Sequence, residues 1–224
     1  MGRFIAIEGG DGSGKGTHTK LLVEHLTAEG FDVLETDFPR YDQDSSYYVR
    51  QYLNGAYGGP DDVPAELGSL PYALDRFAAK DEIISHLKKE NSIVISNRYI
   101  ASNLAHQGTK VLDATERKSF YERTMTTEYD ILNIPRPDLN IVLVMPTVHM
   151  QANVDKKGTR GYTALKRDIH EANENHLDRA KANFQELCML WPDEFTQINC
   201  VDEDKDMRSI ILIQKDIQTL LKTV

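Results

Sequence analysis

The feature that most constrains the fold is a glycine-rich segment that links a short apolar run to a helical pattern. The apolar run covers 4–7, and the helical pattern begins at Lys15. Glycines in this context let the backbone wrap around an anion with its N–H groups pointing inward. The helix N-terminus adds about half a positive charge, and the lysine adds a full one. The loop residues expected to bind phosphate are Gly10, Asp11, Gly12, Ser13, Gly14, Lys15, Gly16 and Thr17.

A glycine-rich turn that binds nothing is the alternative, but the lysine at this spacing favours the phosphate-binding loop. The residue after the lysine departs from the usual loop, which has Ser or Thr there to contact magnesium. Here Gly16 follows the lysine and Thr17 comes next, so we expect the threonine hydroxyl to contact a phosphate instead. Glu8 and Asp11 are nearby acidic residues able to hold magnesium through water. The sequence gives no firm set of metal ligands.

Apolar runs and helical patterns alternate along the chain, which predicts a parallel sheet with helices on both faces. The expected strands lie near 4–7, 31–36, 93–95, 140–144 and 195–198. The expected helices lie near 15–29, 44–53, 67–89, 165–190 and 210–221, with two more between the third and fourth strands. A polar, basic loop is expected at 154–161.

The composition argues against several classes of protein. A formal net charge of −9 does not suit a protein whose main partner is a nucleic-acid backbone, although a small phosphorylated ligand needs only a local positive pocket. Cys188 and Cys200 are too few for a disulfide scaffold and fit free, buried thiols in a reducing compartment. No apolar run approaches the ~20 residues that span a bilayer, and no signal peptide is recognised. We therefore expect a cytoplasmic protein with no nucleic-acid or membrane partner.

Three arginines, two near predicted strand ends and one in a predicted helix, indicate phosphate recognition. Arg40 follows the second strand, Arg98 ends the third, and Arg76 lies in the predicted helix at 67–89. Planar guanidinium groups bind phosphate through paired hydrogen bonds, and open α/β sheets hold ligands at the carboxyl ends of their strands. Each arginine alone is better explained as a surface residue, but the three together favour a site. The base-reading and water-positioning motifs of a small GTPase are absent.

In their order and spacing, these blocks resemble the thymidylate kinase family over nearly the full chain. The matching segments are 4–17, Phe38-Pro39-Arg40, Tyr72 with Arg76, Arg98-Tyr99 with Ser102-Asn103, Pro137-Asp138-Leu139 and the basic loop near Arg160. The resemblance implies an α/β fold of the three-layer P-loop NTPase type, with a five-stranded parallel sheet. It further implies one domain over 1–224 with a short lid at about 151–163.

The family transfers the terminal phosphoryl group of ATP to dTMP with Mg2+ and is commonly homodimeric, so the resemblance implies the same here. By resemblance, Asp11 contacts the sugar 3′-hydroxyl, Arg98 the acceptor phosphate and Arg76 the base. Tyr72 takes the place of an aromatic that stacks on thymine, with core packing as an equal alternative. The expected substrate-binding residues are Asp11, Phe38, Arg40, Tyr72, Arg76, Arg98, Ser102, Asn103 and His106, and the expected catalytic residues are Lys15, Arg98 and Arg160.

The chain departs from the family pattern in the phosphate loop. Gly12 stands where some members carry a basic residue. We expect the missing charge to come from Lys156, Lys157 and above all Arg160, whose planar fork suits a phosphate better than an ammonium does. A solvated basic loop is the alternative.

Two further departures lie at the acceptor side. His106 stands where the family usually has an aromatic residue near the sugar C2′. Asn97 replaces the usual aspartate before the arginine. An asparagine carries no charge, so any metal binding at that position is weakened. On the helix predicted at 165–190, Asn173 and His176 fall on the apolar stripe. Exposure beyond the core is the favoured explanation for both, and contact with the acceptor pocket is the alternative.

The residues alone leave two other functions open. One is a kinase for another monophosphate or for a deoxynucleoside. The other is a nucleotide-binding regulator without catalysis, which Gly16 and Asn97 keep open. Lys15, Arg98 and Arg160 favour catalysis, because a sensor needs no clamp for an acceptor phosphate.

Overall fold

The five strands form one parallel sheet in the computed structural model, which describes residues 2–59, 62–155 and 174–222. The strands are β1 (Arg3–Gly9), β2 (Asp32–Asp37), β3 (Ser92–Asn97), β4 (Leu139–Val144) and β5 (Phe195–Asn199). Their order is β2-β3-β1-β4-β5. The strand that leads into the glycine-rich loop is therefore central, and the predicted fold class is confirmed.

Helices cover both faces of the sheet. They are α1 (Lys15–Ala28), α2 (Tyr47–Leu53), α3 (Ala65–Leu87), α4 (Ile100–Gly108), α5 (Ala114–Met125), α6 (Thr147–Asp155), α7 (Glu174–Leu190) and α8 (Ile210–Leu221). A π-helical turn, Thr126–Ile131, continues α5, and a short 3-10 turn, Asp44–Ser46, precedes α2.

Alternate residues of the central strand enter two separate apolar cores. Phe4 and Ala6 pack with α3, α4, α5 and α7, whereas Ile5 and Ile7 pack with α1 and α8. A strand covered on both faces has no solvent side, so its sequence is apolar without alternation. This explains why the buried strands β1, β3 and β4 were visible as short, mostly apolar runs.

One helix was not foreseen from the sequence. The expected loop at 154–161 overlaps α6, which ends at Asp155, so the assignment of 154–155 to a loop is wrong. The lid expected at about 151–163 begins within this helix and stays a prediction. The pattern gave little signal because the helix is short and buries Met150, while Val148 is exposed. The remainder of the expected lid, 156–163, lies outside the described residues, as does the segment before α7.

The carboxyl ends of the parallel strands meet at one edge of the sheet. Asp37 at the end of β2 pairs in register with Asn97 at the end of β3, and Asn97 also pairs with Ile7 of β1. The glycine-rich loop leaves β1 at the same edge. Ligands of open parallel sheets bind at this position.

Replacement of Leu187 by Ala tests the core between α7 and the sheet. Leu187 is fully buried in the cluster that contains Phe4, so Leu187→Ala should lower the free energy of unfolding by about 2–5 kcal/mol through lost burial and a residual cavity. Leu112 is 72% exposed, so the matched change Leu112→Ala should cost less than about 0.5 kcal/mol. Urea unfolding measures both, and equal losses would contradict the described core.

Candidate active site

A cavity of about 730 Å³ lies at the carboxyl edge of the sheet. The phosphate loop, the ends of β2 and β3, the start of α4 and part of α8 line it. Most of the residues predicted from the sequence come together there: Asp11, Gly12, Ser13, Gly14, Lys15, Gly16, Thr17, Phe38, Tyr72, Arg76, Arg98, Ser102, Asn103 and His106. Gly10 and Arg40 are not part of this lining, and Arg160, Lys156 and Lys157 lie outside the described residues.

The phosphate loop has the backbone form that its glycines predict. Gly12 and Gly14 have φ angles of 85° and 93°, a region that favours glycine. The chain then enters α1 at Lys15, whose Nζ donates to the carbonyl oxygen of Gly10 at 2.8 Å. The lysine is buried, so its ammonium is held at the loop rather than in bulk water.

Helix α6 packs directly on the loop and explains the glycine at position 12. A Cβ added to Gly12 would lie 2.1 Å from the carbonyl oxygen of Met150. Asn153 Nδ2 donates to the Gly12 carbonyl oxygen at 2.9 Å. A basic side chain at this position is therefore incompatible with α6 as it is placed.

Arg98 is a central cation of the cavity lining. Its φ of 66° is unusual for a side-chain-bearing residue and turns the chain at the end of β3. The guanidinium forms an ion pair with Asp11 and donates from Nη1 to Ser102 Oγ at 3.0 Å. Burial alone would lower the pKa of Arg98, but the carboxylates of Asp11 and Glu8 outweigh it and raise that pKa, so the positive charge is retained.

Glu8 supports Arg98 and the start of α4 from beneath. Its carboxylate is fully buried and accepts hydrogen bonds from the Tyr99 N–H at 2.8 Å, the Ser102 N–H at 3.2 Å and Ser102 Oγ at 2.5 Å. Burial raises the pKa of Glu8, while these hydrogen bonds oppose the rise. Glu8 does not line the cavity, so the expectation that it could hold magnesium is wrong.

Arg76 and Asn103 are oriented by a carboxylate that the sequence did not reveal. Arg76 donates from Nε and Nη2 to the two oxygens of Glu128, both at 2.6 Å, and Asn103 Nδ2 donates to Glu128 Oε1 at 3.1 Å. All three side chains are buried. Glu128 lies in the π-helical turn after α5, and its local sequence has no feature that distinguishes it from a surface glutamate.

Two predicted aromatic residues line the cavity, whereas the predicted Arg40 does not. Phe38 and Tyr72 line the cavity, and Tyr72 makes an edge contact with Tyr52 at a ring-centroid distance of 6.4 Å. Arg40 instead pairs with Asp75, with Nε 3.2 Å from Oδ1. The structure therefore does not bring the Arg40 guanidinium to the cavity with the other predicted residues, because Asp75 of α3 holds it.

A histidine pair closes the pocket where α4 meets α7. His106 Nδ1 lies 3.1 Å from His176 Nε2, and the rings are stacked with centroids 5.4 Å apart. His176 is 5% exposed, so the favoured expectation that it lies exposed beyond the core is wrong; Asn173 lies outside the described residues. Burial, together with the neighbouring His176 and Arg98, keeps the pKa of His106 well below its ordinary value, so the ring is neutral at pH 7.

Two further polar residues at this edge lie beside the phosphate loop. Asp37 and Asn97 line the cavity, and Asn97 Nδ2 donates to Asp37 Oδ2 at 3.1 Å. Partial removal of water by the surrounding protein raises the pKa of Asp37, although the hydrogen bond from Asn97 and the positive charge of Arg98 oppose the rise. Asp37 was not singled out from the sequence; its place at the carboxyl end of a strand was the available signal. Within the described ranges, no group of three or more His, Cys, Asp or Glu side chains is arranged to hold a metal.

Comparisons with known proteins identify the family. Residues 7–210 match the family model described as thymidylate kinase. A probable thymidylate kinase of Pyrococcus horikoshii is 28% identical over 94% of both chains, and one of Pyrococcus abyssi is 32% identical over 65% of this chain and 66% of that one.

Solved structures give the same fold at lower sequence identity. A thymidylate kinase from Candida albicans superposes with a TM-score of 0.70 at 19% identity, covering 99% of this chain and 92% of that chain. One from Ehrlichia chaffeensis gives 0.67 at 22% identity, covering 98% of each. Because the family model spans nearly the whole chain and includes the phosphate loop, Arg98 and Asn103, the protein belongs to the thymidylate kinase family.

Proposed function

We propose that this protein transfers the terminal phosphoryl group of ATP to dTMP, giving dTDP and ADP. The observation that carries the proposal is the meeting of two kinds of site in one cavity. Lys15 of the phosphate loop stands on the donor side, while Arg98 and the Arg76–Asn103 pair stand on the acceptor side. A regulator that only senses a nucleotide has no need of the second set.

The donor side suits a triphosphate. The loop N–H groups and the N-terminus of α1 favour the phosphates, and Lys15 supplies charge where negative charge moves during transfer. Mg2+ is part of the proposal, because hard cations in such kinases are held by one or two carboxylates together with the phosphates. Bound magnesium would neutralise phosphate charge. We assign no role to Glu8 in holding it.

The acceptor side suits a deoxynucleoside monophosphate. Arg98 holds the acceptor phosphate, and Asp11 beside it receives the sugar hydroxyl. Phosphoryl transfer needs little covalent chemistry from the protein, so alignment and charge stabilisation suffice. Arg160 remains part of the proposal from its sequence alone, as a further cation for the transferring group.

The base is selected by the fixed polarity of Asn103. Its amide nitrogen is committed to Glu128 and, at 3.4 Å, to the Ser69 carbonyl oxygen, which assigns the other amide atom as an acceptor. That atom, Oδ1, is buried without a hydrogen-bond partner in the described part of the chain. An acceptor here fits the N3–H of thymine, and Arg76 next to it fits the O4 acceptor. Cytosine presents the opposite pattern, with a donor at its exocyclic amine.

A homodimer is also proposed, on the basis of an apolar stripe along α3. Leu67, Leu70, Leu74 and Phe77 are between 41% and 55% exposed. Their spacing of three and four residues places them on one face of the helix. Contiguous apolar surface of this kind is typical of a subunit interface.

A reducing, cytoplasmic location and a single kinase domain over 1–224 complete the proposal. Both cysteines are free, and burial raises the pKa of Cys188 to about 12 and of Cys200 to about 11. Neutral thiols of this kind fit a compartment without disulfide formation. In addition, no helix in the described ranges is long and apolar enough to cross a membrane.

Lys15→Ala should lower kcat by at least ~100-fold, because a fixed positive group at developing phosphate charge is worth ~3 kcal/mol or more. Lys20 lies on the same helix but is exposed, so Lys20→Ala should keep nearly full activity. Steady-state kinetics with ADP release gives both values, and circular dichroism checks that the fold is retained. A Lys15→Ala enzyme with normal turnover would place the reaction elsewhere.

The acceptor should be dTMP, with kcat/KM at least ~10-fold above dCMP, dGMP and dAMP, because one mismatched buried polar group costs ~1–3 kcal/mol. Asn103→Ala should reduce this preference over dCMP, while Thr126→Ala, at an exposed position of the same π-helical turn, should not. The measurement is a panel of monophosphates and nucleosides with each enzyme. Equal rates for all monophosphates would refute the choice of dTMP but not the kinase activity.

The double variant Leu70→Glu/Leu74→Glu should be monomeric at micromolar concentration, since two carboxylates on the stripe cannot be desolvated without partners. The exposed Leu112 lies off this stripe, so Leu112→Glu should remain dimeric. Sedimentation velocity distinguishes the two masses. A monomeric wild-type protein, or a dimer that survives both substitutions, would contradict the proposed interface.

A further inference from the structure

The pair formed by Asp37 and Asn97 has no role in the function described so far. The two residues face each other at the carboxyl ends of β2 and β3, and the Asn97 amide donates to the Asp37 carboxylate at 3.1 Å. Solvent reaches Asp37 through the cavity, and both side chains line it together with Lys15 and Thr17.

The pair borders the first turn of α1, where ATP phosphates are proposed to bind. A Cβ added to Gly16 would lie 3.9 Å from Asn97 Nδ2, with no nearer neighbour in the described structure. Phosphate loops usually place a hydroxyl at this position for the metal. This chain has an open space there instead, and the pair lies beside it.

The chemistry of the pair suits a hard cation. Asn97 Oδ1 is buried and has no hydrogen-bond partner among the described residues, although buried polar atoms are nearly always satisfied. Its neighbour Asp37 contributes a carboxylate, the group that Mg2+ binds in kinase sites, where phosphates and water complete the coordination. Glu8 is unable to do this, because its carboxylate is enclosed under α4.

We propose that Asp37 and Asn97 are the protein's anchor for the magnesium that accompanies ATP, with Asp37 carrying the negative charge that Asn97 lacks. This inference rests on the proposed use of ATP with Mg2+. Directly or through a metal-bound water, the two oxygens would hold the ion against the phosphates. In this arrangement the negative charge lies on Asp37 of β2, in register with Asn97 on the neighbouring strand β3.

The proposal predicts opposite effects of one substitution with and without the metal. Without Mg2+, a carboxylate beside the phosphates repels them, so Asp37→Asn should bind a non-hydrolysable imido analogue of ATP at least about twofold more tightly than wild type. With saturating Mg2+, the same variant should bind it at least ~10-fold more weakly, because losing a group that fixes a metal typically costs 10–100-fold. Calorimetric titration in EDTA and in Mg2+ measures both affinities.

Two further variants separate an anchor from a structural role. Asn97→Asp in the Asp37→Asn background moves the charge to the other strand and should restore most of the magnesium dependence. Glu35 lies on the same strand, is exposed and does not line the cavity, so Glu35→Gln should change both affinities less than twofold.

The binding measurements distinguish failure of the proposed Asp37 role from failure of the proposed use of magnesium. Weaker binding of Asp37→Asn in both conditions would mean a purely structural role and overturn the proposal, as would unchanged binding in both. A wild-type protein that binds the analogue equally well with and without Mg2+ would overturn the proposed use of magnesium and this inference with it. Restoration by the charge-moving variant, with the reversed effect of Asp37→Asn, would support the anchor.

Discussion

The buried carboxylate of Glu8 connects the two halves of the site. It belongs to β1, which continues into the phosphate loop, and it receives the free N–H groups at the start of α4 together with the Ser102 hydroxyl. Removing a carboxylate from water costs several kcal/mol unless hydrogen bonds and opposite charge compensate. Arg98 and the N-terminus of α4 provide that compensation, so the glycine-rich loop after β1 and helix α4 are held in a fixed position relative to each other.

A second buried pair fixes the proposed base site in the same manner. Arg76 and Glu128 are both almost wholly enclosed, and the paired hydrogen bonds between them leave Glu128 able to orient Asn103 as well. Such pairs contribute less to stability than their geometry suggests, because desolvation opposes the attraction. The pair instead fixes side-chain orientation. The donors of Arg76 and the acceptor of Asn103 keep their positions before a base binds.

The fold and the loop were predictable from the sequence because their signals are local. Continuous apolar runs marked the buried strands, and glycines before Lys15 marked the phosphate loop. Glu128 was not found, because it joins the site through contacts with residues distant in sequence, such as Arg76. Asp37 was missed although its place at the carboxyl end of β2 was a signal, and its partner Asn97 lies on another strand. The sequence also could not show the partner of Arg40. Its position after β2 suggested a ligand-binding residue, whereas its guanidinium contacts Asp75 of α3.

The ion pair between Arg98 and Asp11 has a consequence for how an anion enters the pocket. The guanidinium is shared between this carboxylate and Ser102, so its charge is balanced within the protein. A phosphate bound at Arg98, as proposed, would therefore replace or join one anion rather than meet a bare cation. Much of the cost of removing water from the arginine has already been met during folding. The same exchange would free carboxylate oxygens of Asp11 to accept the proposed sugar hydroxyl, so phosphate binding and sugar recognition would be coupled.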